Sequence, residues 1–386
     1  MKVLFIVNNF FGRGNGLSTS ARTTVKYLLE AGVDVRVMSM ANPNKDGYQS
    51  DYILEKFDFP LFQPLIEKHT FCFARYDRKL TEKALEWADV VHLEDPFVIQ
   101  HRAALLARKK GVPCVATYHL HPENILSSIF LGWARGLNAI LLKSFQKLVF
   151  DKCTDVQCPT ENVKERLERF HFKARLHLIP NGLRFEEPVT VREPQTDPYI
   201  VLCIGRLSKE KDQWTLLRAM KHTKYADRIQ LVFAGKGPKE NSIKKLADRL
   251  VRKGIIKLAP QFVFLTPEEM KGYASKAYLY IHCATVEVEG LSCIEALREG
   301  TVPVIAEGRL TATSQFALDG RSTFPAKDDK TLAERIDWWI EHPRERKEMG
   351  AEYAESVLKY DIHKSIEQLI KMYSTAIESA AANQNK

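Results

Sequence analysis

Short apolar runs alternate with amphipathic stretches along this chain, and the alternation runs through twice. Val3-Leu4-Phe5-Ile6-Val7 has the length and β-branched content of a strand buried on both faces. Leu17 to Ala31 reads as a helix that Gly32 ends, and Val33 to Met38 as the next strand. Val90 to Leu93 and Cys114 to Tyr118 are further strands, separated by the helical pattern from Gln100 to Lys110. Asp155 to Cys158 and Leu176 to Pro180 close the first series. A strand can meet a parallel neighbour only through a crossover, so this rhythm specifies a parallel α/β sheet with helices on both faces.

The stretch from Leu183 to Pro198 breaks the rhythm with Pro188, Pro194 and Pro198 among charged residues and reads as a linker. A second series follows. Its strands are Tyr199 to Gly205, Ile229 to Ala234, Tyr278 to Cys283 and Val302 to Ala306. Its helices are Gln213 to Met220, Ser242 to Lys253 and Leu291 to Glu299. From Thr331 onward the chain is helical and mixed in charge. A length of 386 residues exceeds one ordinary core. The expectation is therefore two Rossmann-like, doubly wound parallel-sheet domains facing across a cleft. Residues 1–183 form the first, 184–198 the linker and 199–360 the second, while 361–386 form a helix that packs back on the first and frays at its end.

Charge and cysteine content narrow the partners. A formal net charge of +9 favours an anion: a phosphorylated substrate, a nucleic acid or an acidic membrane surface. Seven cysteines, with no Cys-x-x-Cys pair, fit neither a disulfide framework nor a structural zinc site and suit a reducing cytoplasm. The opening apolar run is too short for a signal-peptide core, and no run of 18 apolar residues offers a membrane span.

Five segments at strand ends carry the chemistry. The first is Val286 to Leu297, which leaves a strand and opens a helix. Glu287 precedes that helix and Glu295 lies inside it, flanking the N–H groups around Gly290 to Ser292 that a helix start leaves without intrahelical partners. Two carboxylates beside an anion site suit the hydroxyls of a nucleotide sugar, although an arbitrary glutamate pair is more often solvated. The second is Gly205-Arg206-Leu207-Ser208-Lys209-Glu210-Lys211, where Arg206 and Lys211 can neutralise a diphosphate leaving group. A basic surface loop is the plainer reading. The third is Gly235-Lys236-Gly237, a phosphate loop or merely a turn. The fourth is Gly12-Arg13-Gly14-Asn15-Gly16, whose spacing fails the dinucleotide fingerprint and so disfavours a Rossmann oxidoreductase. The fifth, Thr117 to Glu123, offers His119 as a strand-end ligand. His119 and His121 together would suggest a metal, but no third ligand stands at a fixed spacing. No recognised nucleic-acid motif appears and the charge is dispersed, which disfavours nucleic-acid binding.

Taken together, these segments and the Pro180-Asn181-Gly182 turn resemble, in order, the family-4 retaining glycosyltransferases of the GT-B fold. Glu287 to Glu295 resembles that family's motif of two glutamates separated by seven residues. The resemblance implies that Arg206 and Lys211 hold the donor diphosphate, that Glu295 binds the ribose, and that Glu287 contacts the transferred sugar. It assigns backbone N–H groups of Gly290 and Leu291 to the donor, Gly16 and the glycine loop to closing on it, and His119 to touching the sugar. Gly205 and Gly235 belong to the same donor-binding set. It further implies transfer of a hexose, from UDP-glucose or UDP-galactose, to a hydroxyl acceptor. The leaving phosphate would help to deprotonate that acceptor, and no covalent nucleophile is required. The chain contains no Asp-x-Asp, which fits a metal-independent enzyme without a cofactor. Departures from the family pattern are Asn15 in place of a glycine, Glu289 in place of Phe, and His282-Cys283 in place of Pro-Ser.

The acceptor is expected from a different signal. Ser127 to Cys153 mixes Ile129, Phe130, Trp133, Ile140, Phe145 and Phe150 with Arg135, Lys143, Lys147 and Lys152, and only Asp151 is acidic. That composition suits a helix lying in an anionic membrane interface, and equally a core helix with solvated lysines. Phe57, Phe59, Phe62, Phe71 and Phe73 offer a second such patch. The membrane reading makes a lipid such as diacylglycerol the acceptor and puts the protein on the inner face of the membrane. The alternative is a soluble sugar or polysaccharide acceptor.

Overall fold

The computed structural model describes residues 1–12, 16–44, 47–58, 72–128, 134–185, 191 and 193–384. The chain divides into two compact units, Met1–Gly182 with Ile362–Lys386, and Leu183–Asp361.

The first unit begins with β1 (Lys2–Ile6), α1 (Gly16–Glu30), β2 (Asp34–Met40), β3 (Tyr52–Leu54), β4 (Lys56–Phe57) and β5 (Phe73–Ala74). It continues through α2 (Arg78–Trp87), β6 (Val90–Leu93), α3 (Val98–Lys110), β7 (Cys114–Thr117), α4 (Pro122–Ser128) and α5 (Arg135–Leu148). Then come β8 (Asp155–Cys158), α6 (Glu161–Arg169) and β9 (Arg175–Leu178). Seven strands pair in parallel in the order β3-β2-β1-β6-β7-β8-β9. The order reverses at β1, so the loops after β1 and β6 part there and leave the crevice where such sheets bind ligands. Burial explains why Val3 to Ile6 form a strand: all four side chains are inaccessible to solvent, as an interior parallel strand requires. Gly111 ends α3 at φ +75, and Arg108, Lys109 and Lys110 in its last turn complement the helix dipole.

The second unit contains β10 (Tyr199–Ile204), α7 (Gln213–Ala219), β11 (Ile229–Ala234), α8 (Glu240–Arg252), β12 (Gln261–Val263) and α9 (Pro267–Lys276). It is completed by β13 (Leu279–His282), α10 (Leu291–Arg298), β14 (Val302–Glu307), β15 (Thr323–Pro325), α11 (Asp329–Glu341) and α12 (Pro343–Ser356). Its six strands are parallel in the order β12-β11-β10-β13-β14-β15, with the reversal at β10. Trp339 is wholly buried on α11, and its indole N–H donates to the Arg321 carbonyl at 3.1 Å, so this stretch belongs to the core.

The last helix, α13 (Ile362–Gln384), belongs to the first unit. Ile362, Ile366, Leu369, Met372, Tyr373 and Ala376 share a core with Val3, Phe5, Val25 and Leu28. Gly182 sits at φ +75, and a Cβ there would lie 2.9 Å from the Ile362 Cα, so only glycine lets the two segments pass.

Two expectations are met in part by the described residues. On α5 and just beyond it, Leu142, Phe145, Val149 and Phe150 are core residues, so most of the apolar content of that segment packs inward. What faces solvent is Leu137, Ile140 and Leu148 with Arg135, Lys143 and Lys147, while Ile129, Phe130 and Trp133 lie outside the described residues. In the phenylalanine patch, Phe57 is exposed and Phe73 stacks edge-on against Phe97 at 5.0 Å; Phe59, Phe62 and Phe71 lie outside the described residues. Among the described residues no helix is long and apolar enough to cross a membrane.

Candidate active site

In the second unit, the loops leaving β10 and β13 flank the strand-order reversal. Strand packing dictates the first loop. A Cβ on Gly235 would lie 2.1 Å from the Gly205 carbonyl oxygen, and one on Gly237 would lie 2.3 Å from that of Leu207. Both glycines therefore serve the close passage of two strand ends. The Gly235 N–H donates to the Val263 carbonyl (2.8 Å) and that of Gly205 to Ala234 (2.9 Å), so these two expected donor-binding glycines spend their amides inside the fold. The loop is then pinned from both sides. The Gln213 side chain donates to the Arg206 carbonyl at 2.9 Å, and the Thr285 N–H donates to the Glu210 carbonyl at 2.7 Å, tying this loop to the one after β13.

The second loop is anchored on the segment after β14. The Glu287 N–H donates to the Leu310 carbonyl (2.7 Å), and the Ala312 N–H donates back to Glu287 (3.2 Å). Gly290 opens α10 at φ +86, where a Cβ would lie 2.6 Å from the Thr313 hydroxyl and 3.4 Å from the Glu287 Cγ. Leu291 is the first residue of α10, where helix geometry leaves N–H groups without intrahelical acceptors.

These constraints bring Lys211 and Glu287 into contact, 76 positions apart in sequence, with the ammonium donating to Glu287 Oε2. His282 Nε2 lies 3.3 Å from the same oxygen. Its Nδ1 meets the Tyr280 hydroxyl at 2.8 Å, and that hydroxyl also meets Ser292 at 3.2 Å. Burial opposes ionisation of Glu287, but Lys211 and His282 outweigh it and hold the carboxyl well below the usual range. Burial in turn depresses the His282 imidazole. The centre is thus an ionised carboxylate clamped by a lysine and backed by a buried histidine. Arg206, at the carboxyl end of β10, is partly buried, which lowers its pKa, while Glu210 pulls the other way. Glu295 stays open to solvent on one side of α10, yet the protein crowding its other side lifts the carboxyl to about 7.

In the first unit, His119 follows β7 and its Nε2 lies 2.6 Å from Glu94 Oε2. Gly16 is the exposed first residue of α1; Gly14 and Asn15 lie outside the described residues. The Nδ1 of His121 faces the Tyr118 hydroxyl (3.1 Å) and Arg166 Nη1 (3.0 Å), and Arg166 grips both oxygens of Glu123. Among the described residues, no three of His, Cys, Asp and Glu are grouped to hold a metal ion. Sequence reasoning missed Glu94, Tyr280 and Thr313 and saw His282 only as a departure from a pattern. Glu94 and Thr313 act on residues from other segments, so no local spacing points to them, whereas Tyr280 reaches His282 two positions along the same strand.

The family model for Glycosyltransferase Family 4 matches residues 14–187, and that for Glycosyl transferases group 1 matches residues 186–356. The α-monoglucosyldiacylglycerol synthase of Streptococcus pneumoniae is 25% identical over 325 residues, covering 80% of this chain and 71% of that protein. The corresponding synthase of Acholeplasma laidlawii is 22% identical, covering 75% of this chain and 76% of its own length. Among solved structures, Anabaena HepE in complex with UDP and glucose superposes with a TM-score of 0.72 at 16% identity, covering 97% of this chain and 99% of that one.

Proposed function

Because this chain belongs to the family-4 glycosyltransferases and has the GT-B fold, we propose that it transfers a hexose, with retention of anomeric configuration, from a uridine diphosphate sugar to a lipid hydroxyl. The observation that carries this reading is the Lys211–Glu287 pair backed by His282 at the strand-order reversal of the second unit. In this reading Arg206 and Lys211 take the diphosphate, and Lys211 exchanges part of its hold on Glu287 for phosphate oxygens as the donor enters. Glu287 then accepts hydrogen bonds from the sugar, and Glu295 accepts them from the ribose. The bond from C1 to the phosphate oxygen breaks and a bond from C1 to the acceptor oxygen forms on the same face. The acceptor proton passes to the departing phosphate, whose growing charge the two cations stabilise. His119 hydrogen-bonds the transferred sugar.

The names of the Streptococcus and Acholeplasma relatives support a diacylglycerol-type acceptor, and the Anabaena complex supports UDP as the carrier. Hydrolysis of a panel of nucleotide sugars, together with thermal shifts in UDP, GDP, ADP and NAD, tests the donor. UDP is expected to stabilise the protein most, whereas stabilisation by NAD alone overturns the reading. A raised Glu295 pKa adds a pH signature. A ribose-accepting carboxylate must be ionised, so affinity for UDP-glucose should fall as pH drops below about 7, by up to tenfold per unit. Glu295→Gln should flatten that dependence; a calorimetric titration at pH 6 and pH 8 checks it.

Membrane attachment is supported by α3 and α5. Val98, Arg102, Leu105, Arg108 and Lys109 are exposed on the first, and Leu137, Ile140, Lys143 and Lys147 on the second. Neither helix carries an acidic residue, and His101 on α3 contacts the Leu148 carbonyl at the end of α5. Vesicles containing phosphatidylglycerol should float the protein at low salt. Ile140→Glu with Lys143→Glu should weaken that binding roughly tenfold or more. Failure of the wild-type chain to float counts against a membrane surface.

A further inference from the structure

Behind His119 lies a buried polar network that the proposed chemistry does not use. His92 lies in β6 and Glu94 directly follows it, Thr117 closes β7, Gln157 lies in β8, and Tyr373 comes from α13. All five are buried. Their hydrogen bonds have a definite direction. The Gln157 amide donates to the Ile179 carbonyl (3.0 Å), which turns its oxygen toward the Thr117 hydroxyl (2.7 Å). With that hydroxyl donating to Gln157, its lone pair receives His92 Nε2 at 2.8 Å, so the Nε2 of His92 carries the proton. The unprotonated Nδ1 then accepts from the Tyr373 hydroxyl at 2.6 Å. The same Nε2–H lies 3.1 Å from Glu94 Oε1, and the other Glu94 oxygen lies 2.6 Å from His119 Nε2. One carboxylate therefore stands between two imidazole rings, each presenting its Nε2 to a different oxygen.

The adjacent acid behaves differently. Asp95 is held by the Asn8 N–H (3.1 Å) and the Asn8 amide (2.5 Å), and burial pushes its carboxyl up to about 7. Glu94 is also buried, but His119 and His92 more than offset that and hold it at about 2. The two neighbours are thus separated into a protonatable acid and a permanent anion.

We propose that Glu94 is a positioning residue that fixes His119 with its proton on Nε2, so that any hydrogen bond from the ring to the donor sugar runs through Nδ1. Tyr373 anchors the arrangement from α13 by locking the tautomer of His92, which makes the last helix of the chain part of the site's support. The inference rests on the reading of His119 as a sugar contact. Its physical content is an accounting of acceptors: Glu94 supplies two oxygens to two N–H donors, and a glutamine supplies one. His92 is held at both nitrogens by Tyr373 and Thr117, so in Glu94→Gln the ring that must change tautomer is His119.

The test compares Glu94→Gln, His119→Ala and the double variant in UDP-sugar hydrolysis, with nitrogen-15 NMR of the histidine rings and UDP affinity as a folding control. We expect Glu94→Gln to lower kcat about 10²-fold with the donor KM and UDP affinity nearly unchanged. The double variant should be no slower than His119→Ala, because both remove one function. The His119 ring should report the Nε2–H tautomer in the wild type and Nδ1–H in Glu94→Gln, and Glu94→Asp should recover part of the loss. Losses that add in the double variant, or a His119 tautomer indifferent to Glu94, overturn the proposal while leaving His119 in the site. Wild-type turnover by His119→Ala instead removes His119 from the site, and the proposal falls with it.

Discussion

Lys211→Ala is expected to lower turnover by about 10²–10³-fold, the usual cost of removing one preorganised donor from a developing negative charge. Two effects combine at this position. In the proposed reaction the departing diphosphate loses a cation, and Glu287 loses the strongest partner that keeps it ionised in a buried place. Without the ammonium, His282 still lies 3.3 Å from the carboxyl, but burial disfavours charging that imidazole. Glu287 should then take up a proton more readily and accept less strongly from sugar hydroxyls. Lys211→Arg keeps a charge but exchanges a compact ammonium for a planar fork, so it should restore only part of the rate. Steady-state hydrolysis of UDP-glucose between pH 6 and 9 reads both effects. Turnover close to wild type for Lys211→Ala would remove the diphosphate role from this residue.

Arg206→Ala is expected to cost a similar factor, about 10²–10³ in kcat/KM, through a different balance of binding and rate. Arg206 lies partly buried at the end of β10, and burial already lowers its pKa, so the fold maintains this cation against a desolvation cost. If Arg206 takes the diphosphate, as proposed, a diphosphate repays that cost and uridine without phosphate does not. Calorimetry should therefore show UDP affinity falling in Arg206→Ala while uridine affinity stays unchanged. Equal losses for the two would mean that the side chain serves the base or ribose instead. Arg206→Lys should recover the charge but not the two-pronged geometry that suits a phosphate pair.

The two sheets were legible because interior parallel strands must be apolar on both faces. Val3 to Ile6 and Ile229 to Ala234 announce themselves through composition alone. Three-residue strands such as β3, β12 and β15 are too short to show a period, and their pairing partners, rather than their side chains, make them strands. The apolar segment after Ser127 was ambiguous for a related reason. Composition reports that a helix has an apolar side but not what lies against it. Phe145 and Phe150 turned out to face the core, while Ile140 faces water.

For the site, the sequence by itself determined the residue types and their place at strand ends: Arg206 and Lys211 after one strand, Glu287 and Glu295 around the start of one helix. These follow from local order, since a strand, a loop and a helix start are consecutive along the chain. Only the tertiary structure decided that Lys211 meets Glu287, that His282 backs the pair, and that Glu94 stands between His92 and His119. It also decided that Gly235 serves a crossing of backbones and that Tyr373 reaches His92 across 281 positions. The physical reason is that a charge or a proton is set by what lies within a few ångströms. In a parallel sheet the segments that come so close are joined by crossovers dozens of residues long, so their meeting leaves no mark on local sequence.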